Sequence, residues 1–373
     1  MPRAGRRGRA LVVGFLRRCG ARAVVVALGV VLSGCSTVGY YWQAAHGEMS
    51  LLSAREPVSR LVAAPATPAE LKARLRLAEQ ARRFASSELH LPDNASYTTY
   101  ADLQRPYAVW NVYATPEFSV QPRENCFPIA GCVAYRGYFS HAAALADAAR
   151  WRAQGDDTAV FGVPTFSTLG WFSDPILSTM MRWDDATLVG EIFHELAHQE
   201  YYVAGDTQFN ESYANFVERE GLRQWRAARS LPASGRRARE RADQFTRLVL
   251  GTRGALAKLY ATDLSKATMR ARKAALLADL HERYLALRNG PWHGYTGYDG
   301  FFDEPLNNAR LVPFGLYDQW VPGFCRLFKG DGGDWPRFYA SVKALGAQAK
   351  PARDARLREL TAAARGGDCE SLA

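Results

Sequence analysis

His194-Glu195-Leu196-Ala197-His198, followed thirteen residues after its second histidine by the glutamate of Asn210-Glu211-Ser212-Tyr213-Ala214, is the stretch that decides the fold of this 373-residue chain. Histidines four apart lie one turn apart on the same face of a helix, so both can reach one ion. Glu195 follows the first histidine, on the side where a metal-bound water would sit. A zinc ion with three protein ligands keeps a fourth position for water, and a neighbouring carboxylate can take that water's proton as it attacks a carbonyl. The third ligand must come from elsewhere, and Glu211 wins on context. The chain finishes one helix, turns at Gly205-Asp206-Thr207 and brings the first turns of the next helix back over the first. Its rivals read differently: Asp206 as a cap in the turn, Glu200 as a residue of another helix face, Glu218 as two turns too far on. A structural metal site needs ligands and has no use for a base, so the retention of Glu195 favours hydrolysis with one Zn2+.

Working outward, Asp184 or Asp185 starts the metal helix, and Leu188, Val189, Ile192 and Phe193 bury it centrally. Before it, residues 107–114 and 133–139 alternate as strands, 140–154 reads as a helix and 158–163 as another strand. The expected fold class is α+β: mostly helical, with a small mixed sheet preceding the HExxH helix. The apolar, aromatic segment 164–172 is placed beside the cleft, where an extended substrate could pair with it, or equally as a strand end and turn. Thr67-Pro68-Ala69-Glu70 has the form of a helix start with Thr67 as cap, and the arginines of that helix read as a solvated face. Beyond about residue 218 the chain is mostly helical, with breaks expected at 231–235 and 251–254, a glycine-aromatic loop over 289–300 and a helix through Leu316-Tyr317 to Phe324.

The net charge of +10 suggests nucleic acid until it is placed along the chain. Seven arginines and no acid precede Cys35, so residues 1–34 account for most of the excess and the remainder carries +3. No nucleic-acid partner is expected. Those residues have the layout of an export signal: arginine-rich start, a short apolar run from Ala23 to Leu32, then small residues. Of six cysteines, Cys19 leaves with the signal and Cys35 stands directly after it. Four remain for an oxidising compartment. Cys126 and Cys132 bracket a turn-forming segment, which favours their pairing with each other and Cys325 with Cys369, one of three possible connectivities. Residues 35–373 show no linker that would divide them.

Leu32-Ser33-Gly34-Cys35 resembles the lipobox of bacterial lipoproteins, which implies a lipid on Cys35, a membrane contact through it, and, with Ser36 rather than aspartate next, outer-membrane sorting towards the periplasm. His194-Glu195-x-x-His198 with Asn210-Glu211-Ser212-Tyr213-Ala214 resembles the gluzincin metallopeptidases, whose HExxH is followed by a ligand glutamate in an NExxA signature on a later helix. The gap between the two is shorter here than in most of them. Together with the paired cysteines around Phe127-Pro128, Ser167-Thr168-Leu169-Gly170-Trp171-Phe172 and Asn307-Asn308-Ala309, the chain is similar to a family of bacterial lipoproteins assigned as aminopeptidases from their zinc motif. The resemblance implies that His194, His198 and Glu211 bind zinc, that Glu195 handles the proton, and that Asn215 stands behind a ligand histidine. It also implies a tyrosine or histidine as oxyanion stabiliser, for which Tyr317 is chosen over Tyr298, His293 and Tyr213. The implied substrate is a peptide. An endopeptidase, a cell-wall amidase and a non-catalytic periplasmic lipoprotein remain open at this level.

Overall fold

The computed structural model describes residues 39–127, 131–168, 170–232, 236–315, 319–364 and 369. Cys35 and the expected signal segment lie outside them, as does Tyr317. The chain divides at Ser53 into two units. Of the first, the described part is one helix, α1, over residues 39–53.

In the second unit, β1 (Arg55–Pro57) leads into α2 (Val58–Ala63) and α3 (Ala69–Ser87). Then come β2 (Thr99–Ala101), β3 (Val109–Pro116), β4 (Asn125–Phe127), β5 (Gly131–Val133), β6 (Arg136–Tyr138), α4 (His141–Ala153), β7 (Asp156–Val163) and β8 (Ile176–Leu177). The helical remainder is α5 (Asp185–Glu200), α6 (Thr207–Ala228), α7 (Arg236–Tyr260), α8 (Lys266–Asn289), α9 (Val321–Gly330), α10 (Trp335–Gly346) and α11 (Lys350–Ala363). This is an α+β architecture, mostly helical. Among the described residues the β-structure is three small sheets rather than one: a mixed sheet β1-β2-β8, an antiparallel sheet β6-β3-β7, and the hairpin β4-β5. The run expected as one strand over 133–139 is split, because Ala134 and Tyr135 leave the pairing between β5 and β6.

α5 is the central element. The Asp184 carboxylate accepts from the Thr187 amide at 2.7 Å and starts the helix. Its apolar residues Leu188, Val189, Ile192, Phe193, Leu196 and Ala197 are all buried, since α3 covers one side and α6 another. Phe193 sits near Phe84 of α3 and Trp225 of α6, with ring centroids 6.0 and 6.2 Å away. The far side of α6 packs Phe209, Tyr213 and Phe216 on Phe324 of α9 and Phe338 of α10. That aromatic layer holds α6 at a fixed angle to α5. Cys126–Cys132 closes the β4-β5 hairpin and Cys325–Cys369 ties α9 to the chain's end, the expected pairing.

Several local expectations fail for tertiary reasons. α3 starts after Pro68, and Thr67 makes no capping bond. Not all its arginines face solvent: Arg82 is 6 % exposed and donates to the carbonyls of Pro92, Asn94 and Ser96, organising the loop that follows. α7 runs unbroken through Gly251 and Gly254. Each glycine costs a helix about 1 kcal/mol relative to alanine, and Phe245, Leu248, Val249 and Leu256 on the same helix, buried against α8 residues Leu277, Leu280 and Tyr284, outweigh that. A 3-10 segment spans Asn308–Gly315 and α9 begins at Val321, while residues 316–318, where a helix was expected to enter, lie outside the described residues.

Candidate metal centre

The turn between α5 and α6 is built from its own sequence. Gly205 takes φ +78°, open to glycine at little cost. Asp206 caps α6 by accepting from the Phe209 amide at 3.3 Å. The Asn210 side chain accepts from the Val203 amide and donates to the Val203 carbonyl, both at 2.8 Å, clamping the last residues before the turn to the start of α6. The Asp206 carboxylate also pairs with Arg353 and Lys350 of α11, so it is engaged away from any metal. Gly131 of the disulfide-closed hairpin rests on this turn. A Cβ there would come within 2.5 Å of the Gly205 amide nitrogen, and its φ is +73°.

On this scaffold His194, His198 and Glu211 bring one donor atom each within 4.8 Å of one another. The two Nε2 atoms are 3.1 Å apart. Glu211 Oε2 is 3.5 Å from His194 Nε2, and Oε1 is 3.8 Å from His198 Nε2. Donors about 2.0–2.2 Å from a tetrahedral zinc lie about 3.3–3.5 Å from each other, so the arrangement fits such an ion. Two further observations support the fit. Glu195 Oε2 is buried without a hydrogen-bond partner among the described residues, and Glu218 Oε2 lies 3.4 Å from His194 Nδ1, where a carboxylate orients a ligand imidazole.

The electrostatics agree. Burial lowers the His194 basicity, but hydrogen bonds to Glu211 and Glu218 overcome it and raise its pKa well above the ordinary value. Without an ion the carboxylates therefore favour a cation here in the form of a proton. Burial depresses His198 to about 4, keeping it a neutral donor. Burial raises Glu211, yet the His194 hydrogen bond and the charges of both histidines bring it below the usual carboxylate range. Glu195 is pushed up to about 8, first by burial and then by Glu191, with His194 opposing. A cavity of about 660 Å³ lies elsewhere, between α8 and residues 302–307, and none of its lining residues belongs to this group.

Residues 39–357 match the model of a family described as "Putative aminopeptidase". The chain belongs to that family. No curated protein and no solved structure matches it. Membership in that family supports a peptidase function for the chain.

Among the residues expected at the site, His194, His198 and Glu211 converge, with Glu195 next to His194 on α5. The position behind His194 is filled by Glu218, and Asn215 is half-buried one turn after Glu211. Tyr298 is stacked on Phe245, 4.2 Å between centroids, in the α7-α8 core. Tyr213 is fully buried in the aromatic layer between α6, α9 and α10. Neither supplies a hydroxyl to the metal group. His293 sits in the turn after α8 with φ +52°. Asn307 and Asn308 are structural, binding the backbone of Thr158 and Glu117. Tyr135 is the residue sequence reasoning missed. Its ring packs beside Tyr113, and after burial its pKa is raised by Tyr113 and then by the charges of Glu211, Tyr202 and Glu195. No spacing rule links it to a motif about sixty residues away.

Proposed function

We propose that this protein is a zinc-dependent peptidase of zincin-like, gluzincin type that acts on the amino-terminal end of peptides. The observation that carries the reading is the convergence of His194, His198 and Glu211 beside a buried glutamate whose inner oxygen has no hydrogen-bond partner among the described residues. A zinc ion held by these three residues would supply Lewis acidity and lower the pKa of a water at the site. Glu195 takes the proton of the attacking water and returns it to the leaving amine. A carboxylate held away from water beside the reacting centre can do both. The Tyr135 hydroxyl donates a hydrogen bond to the carbonyl oxygen as charge develops on it. Glu218 holds the His194 ring in the orientation that presents Nε2.

The full chain purified in detergent is expected to hold one zinc by elemental analysis. Glu195→Gln should keep that zinc and lose about 10²- to 10⁴-fold in peptide hydrolysis. Wild-type protein without metal affinity would overturn the reading. Cleavage of amino-blocked peptides at internal bonds would make the protein an endopeptidase, and release of amino sugars' peptide stems would make it a cell-wall amidase. We further propose that residues 35–373 form the mature domain, anchored through lipid on Cys35 to the cell envelope, at the outer membrane facing the periplasm. The export-signal layout and the two disulfides support this location. Among the described residues no helix is long and apolar enough to cross a membrane. Fatty-acid labelling that fails to mark the wild type would remove the lipid.

A further inference from the structure

α1 carries its exposed residues on one side. Tyr41, Trp42, Ala45, His46, Met49 and Ser50 are exposed, the residues between those pairs are half-buried, and Leu51 is 3 % exposed. The exposed set recurs every turn, so it forms a single stripe along the helix. Its large members are apolar or aromatic: Trp42 is 73 % exposed, Met49 64 % and Tyr41 44 %. Among the described residues no large hydrophobic side chain is more exposed than Trp42. Single exposed apolar residues are ordinary, but Tyr41, Trp42 and Met49 on one helix face mark a surface that meets something apolar.

The place of α1 in the chain says what it meets. Its first residue, Gly39, follows Cys35 by four positions. That much extended chain spans at most about 13–14 Å, so a lipid on Cys35 keeps the start of α1 within that reach of the bilayer. Trp42 stands one further turn along, about 4.5 Å in helix rise. The layer between hydrocarbon and water is where tryptophan and tyrosine concentrate, because an apolar ring and a hydrogen-bonding group are both satisfied there. The helix is too short to go deeper end-on: residues 39–53 rise about 22 Å against a hydrocarbon core of about 30 Å. It therefore lies along the surface. Residues 36–53 contain no lysine or arginine and one acid, Glu48, so the contact draws on apolar burial and not on attraction to anionic lipid.

We propose that the Trp42 face of α1 docks in the headgroup layer of the membrane, a contact made by the protein itself beside the lipid. This rests on the lipid anchoring proposed above and adds a second attachment to it. Two linked attachments hold better than one, because the second engages from a position already at the surface.

The test uses the full chain, purified in detergent and returned to phosphatidylcholine vesicles spin-labelled near the top or near the end of the acyl chain. The chain has nine tryptophans, so Trp42 is read as the fluorescence difference between wild type and Trp42→Phe. That difference should be quenched by the shallow label and less by the deep one. Trp42→Ser together with Met49→Ser should speed transfer of the chain between vesicles about ten- to hundredfold, as for loss of one or two buried apolar side chains, at low and high salt alike. If the serine variant fails to fold, the quenching decides. No quenching of the Trp42 difference overturns the proposal, as does a dimer in vesicles that Trp42→Ser dissolves, which would mean that a second copy covers the face. Fatty-acid labelling separates this result from the anchoring. A labelled chain whose Trp42 is not quenched keeps the lipid and loses the docking face; an unlabelled chain whose Trp42 is quenched keeps the face and loses the lipid.

Discussion

Removing the Glu218 carboxylate should weaken zinc binding in a way that depends on pH. Glu218 Oε2 is 3.4 Å from Nδ1 of His194, whose side chain is 12 % exposed, so the contact is shielded from water on the histidine side. Loss of a carboxylate behind a metal-bound histidine costs about 10- to 100-fold in affinity, about 1.4–2.7 kcal/mol. A hydrogen bond to a charged group, worth about 1.5–3 kcal/mol, gives the same range independently. The pH dependence follows from what competes. Glu218 is one of the groups that raise the His194 pKa, so it stabilises the competing proton as well as the metal-bound ring. Above the raised pKa no proton competes and the full loss appears. As pH falls through it, wild type must displace a well-held proton while Glu218→Gln displaces a weaker one, so the gap narrows. Competition with a chromophoric chelator at several pH values, with Glu218→Gln beside wild type, measures both features. An affinity change below threefold, or a loss constant over the pH range, would refute the role and leave Glu218 as packing alone.

Tyr135→Phe should keep zinc and lower kcat by about 10²- to 10³-fold, the usual effect of deleting one oxyanion donor; stopped assays with metal content measured on the same sample check it, and full activity would return the role to another residue. Gly131→Ala should destabilise the protein by at least about 1–2 kcal/mol from its left-handed backbone alone. The clash with the Gly205 amide adds to that and loosens the turn between the ligand helices. Thermal unfolding and zinc affinity should fall together, and an unchanged midpoint would show that the hairpin does not rest on the turn.

What the sequence determined by itself was local. Two histidines at i and i+4, a capping aspartate at 184, a glycine stop at 205 and a glutamate soon after it specify a helix pair with its ligands, because helical periodicity and capping act within a few residues. Cys126 and Cys132 lie close enough that a hairpin joins them. Tertiary structure decided everything that depends on distant segments meeting. Glu218 looked two turns too far along α6 to matter, yet the angle between α5 and α6, set by the aromatic layer behind α6, brings it to the back of His194. Arg82 looked solvated until the 92–96 loop supplied carbonyls for it. Gly251 and Gly254 looked like breaks until packing on α8 outweighed their cost. Gly131 of one hairpin rests on the Gly205 turn, and the segment carrying Thr165 and Ser167 forms a wall along one side of α5. Neither the hairpin contact nor that wall leaves a spacing in the chain, since each joins residues brought together by folding.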